Sequence, residues 1–220
     1  MFDFNTFANR YDDWFKTDYG QWIDKTEKTL VEKYLNRFET RTILEIGSGT
    51  GHWTDFLSKK DFFILGIDIA EDMLNIARKK NIPRAAFMYN DVENLPYNDR
   101  SIDNIVAFTS LEFVNNQNKA FDEIYRVLRK NGVFLIGTLN KKGSLAMTKK
   151  KREWLKAADL FTFETLYDCL SVFGKPEIEG CAILPLGYDD LQKAEESEKI
   201  SSPSEKMESG NFLLGFVKKM

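Results

Sequence analysis

The sequence predicts an α/β fold built on a doubly wound, mostly parallel sheet. After Thr40, five short runs rich in Ile, Val, Leu and Phe alternate with helical patterns. Apolar runs with few polar interruptions are typical of strands covered on both faces. Parallel neighbours need a crossover, which is usually a helix. The 220 residues, 43% of them hydrophobic, suffice for one such domain.

The elements follow in order along the chain. We expect a helical cap over residues 1–36, because Phe4, Phe7, Tyr11 and Trp14 recur at spacings of three and four. The five core strands are predicted at 42–47, 62–68, 85–91, 102–108 and 133–139. Among the helices between them, "EDMLNIARKK" and "NKAFDEIYRVLRK" each place apolar residues on one face, and Asn131-Gly132 ends the second.

The C-terminal part adds helices and completes the sheet. Residues 144–174 predict one or two helices, and late strands at 177–184 and 211–219 bring the predicted sheet to seven strands. The polar segment near 187–210 predicts a long loop between them. We expect a single domain over 1–220, with the cap at 1–36, a ligand-binding core at 40–140 and these additions at 141–220.

Composition argues against several classes of protein. The net charge of −3 gives no global attraction to nucleic acid or to an anionic membrane. Two cysteines and one histidine, His52, exclude a disulfide framework and a cysteine-rich or multi-histidine metal site, so no metal is expected. The basic run at 149–152 is expected to be a solvated helix face. With neither a signal peptide nor a membrane-spanning stretch in sight, a cytoplasmic protein is expected.

The stretch "ILEIGSGTGHW" (43–53) sets three glycines on alternate positions after a predicted strand. Glycines there allow a tight turn and the close approach of a ligand to the backbone, and the helix that follows offers amide donors. Ligands of parallel sheets bind beyond the carboxyl ends of the strands. The pattern Glu45-x-Gly47-x-Gly49-x-Gly51 differs from both the dinucleotide fingerprint and the P-loop, and it lacks a lysine.

Two more acidic residues end the next strands. Asp68 closes the second strand and Asp91 the third. A carboxylate about 20 residues after the glycine loop suits a bidentate hold on two ribose hydroxyls. Together with Glu45, these acids lack a basic partner, which indicates a ligand with a ribose and without phosphates.

Four segments then carry a resemblance to a known family. They are "ILEIGSGTGHWTDFL", "GIDIAEDML", "NDVENLPYNDRSIDNIVAF" and "AFDEIYRVLRKNGVFLIGTL". Over roughly 40–140 they resemble class I S-adenosylmethionine-dependent methyltransferases, closest to the small-molecule type related to the quinone-biosynthesis methyltransferases. "FANRYDDWFKTDYGQWID" resembles the N-terminal helix of one branch of that group. The resemblance implies a Rossmann-like methyltransferase fold, S-adenosylmethionine as cofactor and a small-molecule methyl acceptor.

The same resemblance implies a role for individual residues. Around the methionine part of the cofactor it places Gly47, Ser48, Gly49 and Gly51, next to Glu45 of the same motif. Asp68 would bind the ribose. The adenine would contact Ile69, Met73, Asp91 and Val92. The carbonyl of Thr109 would accept a hydrogen bond from the cofactor's amino group. Tyr11 and Trp14 become candidates for contact with the sulfonium if the cap folds over the site.

The reaction would be an in-line displacement, which leaves little covalent chemistry to the protein. His52 and Glu112 follow the first and fourth strands and are candidate bases, although neither is assigned. The alternatives are a cofactor-binding module without turnover, an NAD-dependent oxidoreductase and a nucleic-acid amino-methyltransferase. "FTSLEFV" (108–114) lacks the Asn/Asp-Pro-Pro-aromatic motif expected of the last. The acceptor, the atom that is methylated and the oligomeric state stay open.

Overall fold

The computed structural model describes residues 2–184 and 190–220, without the side chains of residues 149–151. Three residues of the basic run considered above therefore lie outside the described side chains. The strands are β1 Thr42–Ile46, β2 Phe63–Asp68, β3 Ala85–Tyr89, β4 Ile102–Phe108, β5 Leu128–Leu139, β6 Glu177–Cys181 and β7 Phe212–Lys218.

These strands form one sheet in the order β3-β2-β1-β4-β5-β7-β6. Strands β1 to β5 pair in parallel, whereas β7 runs antiparallel to both β5 and β6. The strand order reverses between β1 and β4, so their carboxyl ends form the switch point where ligands of such sheets bind. The predicted doubly wound, mostly parallel sheet of seven strands is confirmed.

Helices cover both faces of the sheet. They are α1 Ala8–Tyr11, α2 Asp18–Leu35, α3 His52–Ser58, α4 Glu71–Lys79, α5 Gln117–Val127, α6 Glu153–Lys156, α7 Phe163–Ser171, α8 Leu191–Ile200 and α9 Pro203–Ser209. Helix α4 has Glu71 and Asp72 in its first turn and Arg78 and Lys79 in its last, as the helix dipole favours. No helix in the described part of the chain has the length and apolarity needed to span a membrane.

The core has two main layers, one on each face of the sheet. Because successive side chains of a strand alternate, Leu44 and Ile46 of β1 pack in the layer that includes residues of α5 and α7. Ile43 points the other way and joins the layer that includes α2 and α3. The alternation also turns Glu45 toward α3.

Two predicted boundaries are wrong. The second core helix does not continue to Lys130: α5 ends at Val127, and Leu128 already pairs with Ile102 of β4. Asn131 then adopts a left-handed φ of 63° and donates its N–H to Lys219 O at 2.8 Å. Pairing within the sheet overrides the helical pattern here.

The predicted loop near 187–210 instead contains α8 and α9 over most of its length. Asp190 caps α8 by accepting a hydrogen bond from the N–H of Lys193. Ser202 and Glu205 form a capping box around Pro203 at the start of α9. The residues "SPSE" (202–205) are typical of a helix start, although the polar composition of the segment favours a loop. Residues 187–189 of the predicted loop lie outside the described residues.

Candidate active site

A cavity of about 380 Å³ lies at the carboxyl ends of the central strands. Its walls come from the turns after β1, β2, β3 and β4 and from the N-terminal segment. The predicted cofactor residues among the lining are Tyr11, Gly47, Gly49, Asp68, Ile69, Met73, Asp91, Val92 and Thr109. The fold thus brings nine of the predicted cofactor-contact residues together in one cavity.

The glycine loop after β1 needs its glycines for two different reasons. Gly47 and Gly49 have φ of 69° and 52°, in the left-handed region. A Cβ on Gly47 would also lie 2.2 Å from Ser110 Cβ, whereas one on Gly49 would meet no atom of the described residues within 4 Å. Gly47 therefore makes room for the turn after β4, and Gly49 leaves open space for a ligand.

Asp68 ties the ends of β1 and β2 together. One of its oxygens, Oδ2, accepts the N–H of Gly49, and Oδ1 accepts the N–H of Ala70, both at 2.8 Å. Burial raises the pKa of Asp68, and these backbone hydrogen bonds oppose that rise. Each carboxylate oxygen keeps a lone pair with which it can accept a hydrogen bond from a ligand hydroxyl.

The next part of the wall is apolar with one acid. Met73 is 2% exposed and Val92 7% exposed, and Ile69 lines the cavity beside them. Asp91 accepts the N–H of Glu93 at 2.9 Å and so begins the turn that holds Val92. These side chains can enclose a flat aromatic ring and meet its edge with a carboxylate.

Thr109, at the end of β4, adopts a φ of 45°, which is uncommon for a β-branched residue. Its N–H donates to Gly137 O at 2.7 Å. Ser110 follows and donates from Oγ to Ile46 O at 3.0 Å. These hydrogen bonds hold the strained turn against β1 and β5, and such strain concentrates at functional sites.

The N-terminal segment covers the cavity. Of the helical cap predicted over 1–36, only the first part lies over the cavity, and we call residues 2–16 the N-terminal cap. Asp12 accepts a hydrogen bond from Thr50 Oγ1 at 2.6 Å and pairs with Lys80 Nζ at 2.7 Å. The ring of Phe4 lies 5.0 Å from that of Phe113, edge to face. The cap is thus attached to the glycine loop, to the end of α4 and to the turn after β4.

Within the cap, Tyr11 faces the cavity, as the sequence predicted for a cap folded over the site. Burial and the nearby carboxylates of Asp68 and Asp12 raise the pKa of its hydroxyl. Trp14 is 38% exposed and is not part of the lining.

Three predicted residues lie behind the cavity wall. Glu45 is 1% exposed, its Oε2 accepts a hydrogen bond from Thr54 Oγ1 at 2.5 Å, and burial raises its pKa to about 8. Ser48 is buried, and its hydroxyl has no hydrogen-bond partner among the described residues. Gly51 begins α3 and faces side chains of neighbouring elements. None of the three lines the cavity, so their contact with a cofactor stays a prediction.

The two candidate bases are also outside the lining. His52 Nε2 lies 2.6 Å from Asp24 Oδ1, and its ring stacks on Phe15 at 3.6 Å, so it joins α2 to the cap. Glu112 is 1% exposed and accepts the N–H of Leu139 at 3.0 Å. Burial raises its pKa to about 7.

Sequence reasoning missed one ionisable residue near the site, Glu27 on α2. Its carboxyl lies within electrostatic range of Tyr11 and Glu112, and burial raises its pKa to about 8. A signal existed in the sequence, since helical spacing puts Glu27 on the same face as Gly20, Val31 and Tyr34, which are buried.

The charge of the lining indicates which cofactor it can hold. It contains Asp3, Asp68, Asp91 and Glu93, and no Lys or Arg among the described lining residues. Such a wall repels phosphates and favours a cofactor that carries cationic groups. A nucleoside with an ammonium and a sulfonium fits these residues better than a dinucleotide. No group of metal-ligating side chains occurs in the described parts of the chain.

Comparison with known proteins agrees with this geometry. A family model described as a methyltransferase domain matches residues 44–136, from β1 into β5. The crystal structure of an S-adenosylmethionine-dependent methyltransferase from Thermotoga maritima, described as a possible histamine N-methyltransferase, is similar over 99% of this chain and 98% of that chain, with 25% identity and a TM-score of 0.76. This chain carries a class I, S-adenosylmethionine-dependent methyltransferase domain. The predicted cofactor and reaction type are confirmed.

Two further relatives show how far the similarity extends. An uncharacterized protein of Methanocaldococcus jannaschii is 28% identical over 89% of this chain and 91% of its own length. A malonyl-acyl-carrier-protein O-methyltransferase of Yersinia pestis is 30% identical, but over only 44% of this chain and 36% of its own length. The similarity to that O-methyltransferase thus covers part of the domain, and the relation to quinone-biosynthesis enzymes stays a prediction.

Proposed function

We propose that this methyltransferase acts on a small-molecule acceptor that binds under the N-terminal cap. The observation that supports this proposal is the attachment of the cap to the glycine loop through Asp12 and Thr50. This attachment covers the part of the cavity that Gly49 and Asp68 line. A site of about 380 Å³ covered in this way suits a small ligand better than a folded macromolecule.

The proposed cofactor contacts follow from the cavity wall. Asp68 accepts from the ribose hydroxyls, and Asp91 accepts from the adenine amino group. Ile69, Met73 and Val92 enclose the ring; the contact is apolar and does not require a charged partner. The open side of Gly49 and the carbonyl of Thr109 face the amino-acid part.

The cofactor supplies an activated methyl group on a cationic sulfur. The chain's residues contribute position and environment, since holding the reactants in line can lower a barrier by roughly 7–11 kcal/mol at best. The cap lies over the site and places Tyr11 in its wall. The half-buried carboxylate of Asp68 complements positive charge in the wall of the cavity.

The proposal also covers the partners of the enzyme and its compartment. We infer no role for nucleic acid, because the described cavity lining has no basic side chain that would hold a phosphate backbone. The cytoplasm is the compartment that we expect for this enzyme.

Calorimetric titration tests the cofactor contacts. We expect micromolar binding of S-adenosylmethionine and S-adenosylhomocysteine, weak or absent binding of NAD, and loss of binding in Asp68→Ala. The matched control is Asp122→Ala, an exposed aspartate on α5. Equal binding by both variants would contradict the assigned role of Asp68.

A second experiment tests the class of acceptor. The protein is incubated with a cell extract and S-adenosylmethionine labelled in its methyl group. Label in the low-molecular-weight fraction supports the proposal, whereas label confined to protein or nucleic acid refutes it. Cofactor binding without transfer to any fraction would favour the binding module without turnover.

A further inference from the structure

Three phenylalanine rings line the cavity, and the predicted cofactor contacts do not include them. Phe2 and Phe4 belong to the N-terminal cap, and Phe113 belongs to the turn after β4. Each of the three side chains is half-buried. Aromatic rings that keep part of their surface toward a cavity favour a planar apolar ligand group, because stacking and edge contacts need a second flat surface.

Phe4 reaches the cavity from the side of α4. Its ring packs against the cluster that Ala8 of the cap forms with Ala70 and Met73. Met73 is one of the residues proposed to enclose the adenine, and Ile69, another of them, directly precedes Ala70. Phe4 therefore lies at the end of the cavity where the adenine is proposed to bind.

Phe113 meets Phe4 from a different part of the wall. The two ring centroids are 5.0 Å apart, with an interplanar angle of 81°. Phe113 also packs against the apolar cluster that includes Leu139 and Leu155, and its ring lies 6.2 Å from that of Trp154. Phe113 is thus held by the packed body of the domain, and Phe4 is held by the cap.

Few contacts hold the N-terminal cap at this end of the cavity. Within residues 2–16, Ala8 is the one buried side chain. Asn5 Oδ1 accepts the N–H of Asp72, in the first turn of α4, at 3.0 Å. A segment with so little buried apolar surface opens at a low cost in free energy. A ligand that added contacts to Phe4 would therefore favour the closed cap.

We propose that Phe4 and Phe113 form an aromatic cover over the adenine of the cofactor, so that the cap closes on bound cofactor and opens for its exchange. This inference rests on the proposed function, which puts the adenine among Ile69, Met73 and Val92. Those three residues belong to the turns after β2 and β3 and to α4, and Phe4 adds the side that the cap provides. A purine presents a flat face on which an aromatic ring can stack, whatever its charge.

The chemistry of these rings suits the base better than the rest of the cofactor. The ribose and the amino-acid part carry hydroxyl, ammonium and carboxylate groups, which need hydrogen-bond partners when they leave water. The side chains of Phe4 and Phe113 offer no such partner. The adenine confines its polar groups to the edge of a planar ring, where Asp91 can accept from the amino group.

Calorimetric titration with S-adenosylhomocysteine and 5′-methylthioadenosine tests the cover. Both ligands carry the adenine, and only the first carries the amino-acid part. Phe4→Ala should lower the affinity for both by the same factor, about tenfold, as the loss of a base–aromatic contact does. Phe4→Tyr should restore the affinity because it restores the ring. The matched control is Phe7→Ala, at a half-buried ring of the cap outside the cavity lining, which should leave both affinities unchanged.

Hydrogen exchange gives a readout that a purely structural role of Phe4 would not move. Both adenine ligands should slow the exchange of residues 4–16, whereas methionine, which has no base, should not. The ligands are used at saturating concentration for each variant, so that occupancy is equal. Under these conditions Phe4→Ala should show less protection of the cap by ligand than the wild type, and Phe7→Ala should match the wild type.

The outcomes separate this inference from the proposed function. Failure of S-adenosylhomocysteine to bind the wild type overturns the proposed function itself. If it binds, an unchanged affinity in Phe4→Ala, or a loss confined to S-adenosylhomocysteine, overturns the aromatic cover alone. If Phe4→Ala fails to fold, exchange of the wild-type cap decides the matter, since an absence of protection by 5′-methylthioadenosine also overturns the cover.

Discussion

The carboxylate of Asp68 accepts the backbone N–H of Gly49 at 2.8 Å and so joins the end of β2 to the glycine loop after β1. The predicted ribose anchor and the loop predicted to hold the methionine part are therefore one unit. A change at either residue should affect both the shape of the loop and the affinity for cofactor.

Asp68→Asn should weaken cofactor binding by about tenfold to a hundredfold. The amide keeps the size of the side chain but loses the charge and one acceptor, and hydrogen bonds to charged groups contribute roughly 1.5–3 kcal/mol. Calorimetry gives the affinity, and hydrogen exchange of residues 47–51 reports on the loop. Unchanged affinity with a loosened loop would mean that Asp68 serves the loop alone.

Gly47→Ala and Gly49→Ala should separate folding from binding. The new Cβ at Gly47 would lie 2.2 Å from Ser110 Cβ, so we expect a loss of about 2–4 kcal/mol in the free energy of unfolding. At Gly49 the Cβ meets no described atom within 4 Å, so only the positive φ, about 1–2 kcal/mol, opposes it. Cofactor affinity should nevertheless fall in Gly49→Ala, because the methyl group enters the space left for the ligand.

Denaturant unfolding and calorimetry of the two glycine variants provide the measurement. In Gly47→Ala, the added change Ser110→Gly should restore part of the stability, because it removes the clash and leaves the strained φ. Equal destabilisation of the two single variants would contradict the assignment of different roles.

The sequence predicted the sheet and the glycine loop well for a physical reason. Strands covered on both faces are apolar, and the turn at Gly47 has no alternative to glycine. Both features can therefore be recognised from a few neighbouring residues in the sequence. Glu45 lies within the same motif, yet strand alternation turns it toward Thr54 and away from the cavity. A motif gives the order of residues along the chain, whereas the direction of each side chain depends on the strand that carries it.

The features of the site that the sequence did not predict depend on contacts between distant segments. The cap meets the glycine loop through Asp12 and Thr50, which are far apart in sequence, and nothing local predicts that pairing. The proximity of Glu27 on α2 to Glu112 after β4 likewise exists only once the sheet has formed. Long-range packing therefore decides which segments cover the cavity and which acids lie behind its wall.

Thr50→Val should loosen the N-terminal cap and leave the domain folded. The change removes the hydroxyl that donates to Asp12 at 2.6 Å, a bond expected to contribute about 1–2 kcal/mol. Opening of the cap should become about 5–30 times more frequent. Hydrogen exchange over residues 4–16 and the dissociation rate of S-adenosylhomocysteine measure this change. The control Thr29→Val, at an exposed site on α2, should alter neither.

Glu45→Gln should make the protein more stable at high pH. Burial raises the pKa of Glu45 from its ordinary value to about 8, so the folded state keeps a proton that the unfolded chain releases above about pH 4.3. Stability therefore falls as the pH rises from about 4.3 to 8. The raised pKa values of Glu27, about 8, and Glu112, about 7, act in the same direction.

Thermal unfolding at pH 5 and pH 9 measures this dependence. The wild type should have a lower Tm at pH 9 than at pH 5. Glu45→Gln should recover part of that loss, on the order of a few kcal/mol in the free energy of unfolding, because its amide can still accept the hydrogen bond from Thr54 without bearing a buried charge. At pH 5 the variant and the wild type should be similar, since both side chains are then neutral. Exposed Glu32→Gln should follow the wild type throughout, and a Glu45→Gln variant that lost stability equally at both pH values would show that Glu45 is ionised in the folded protein.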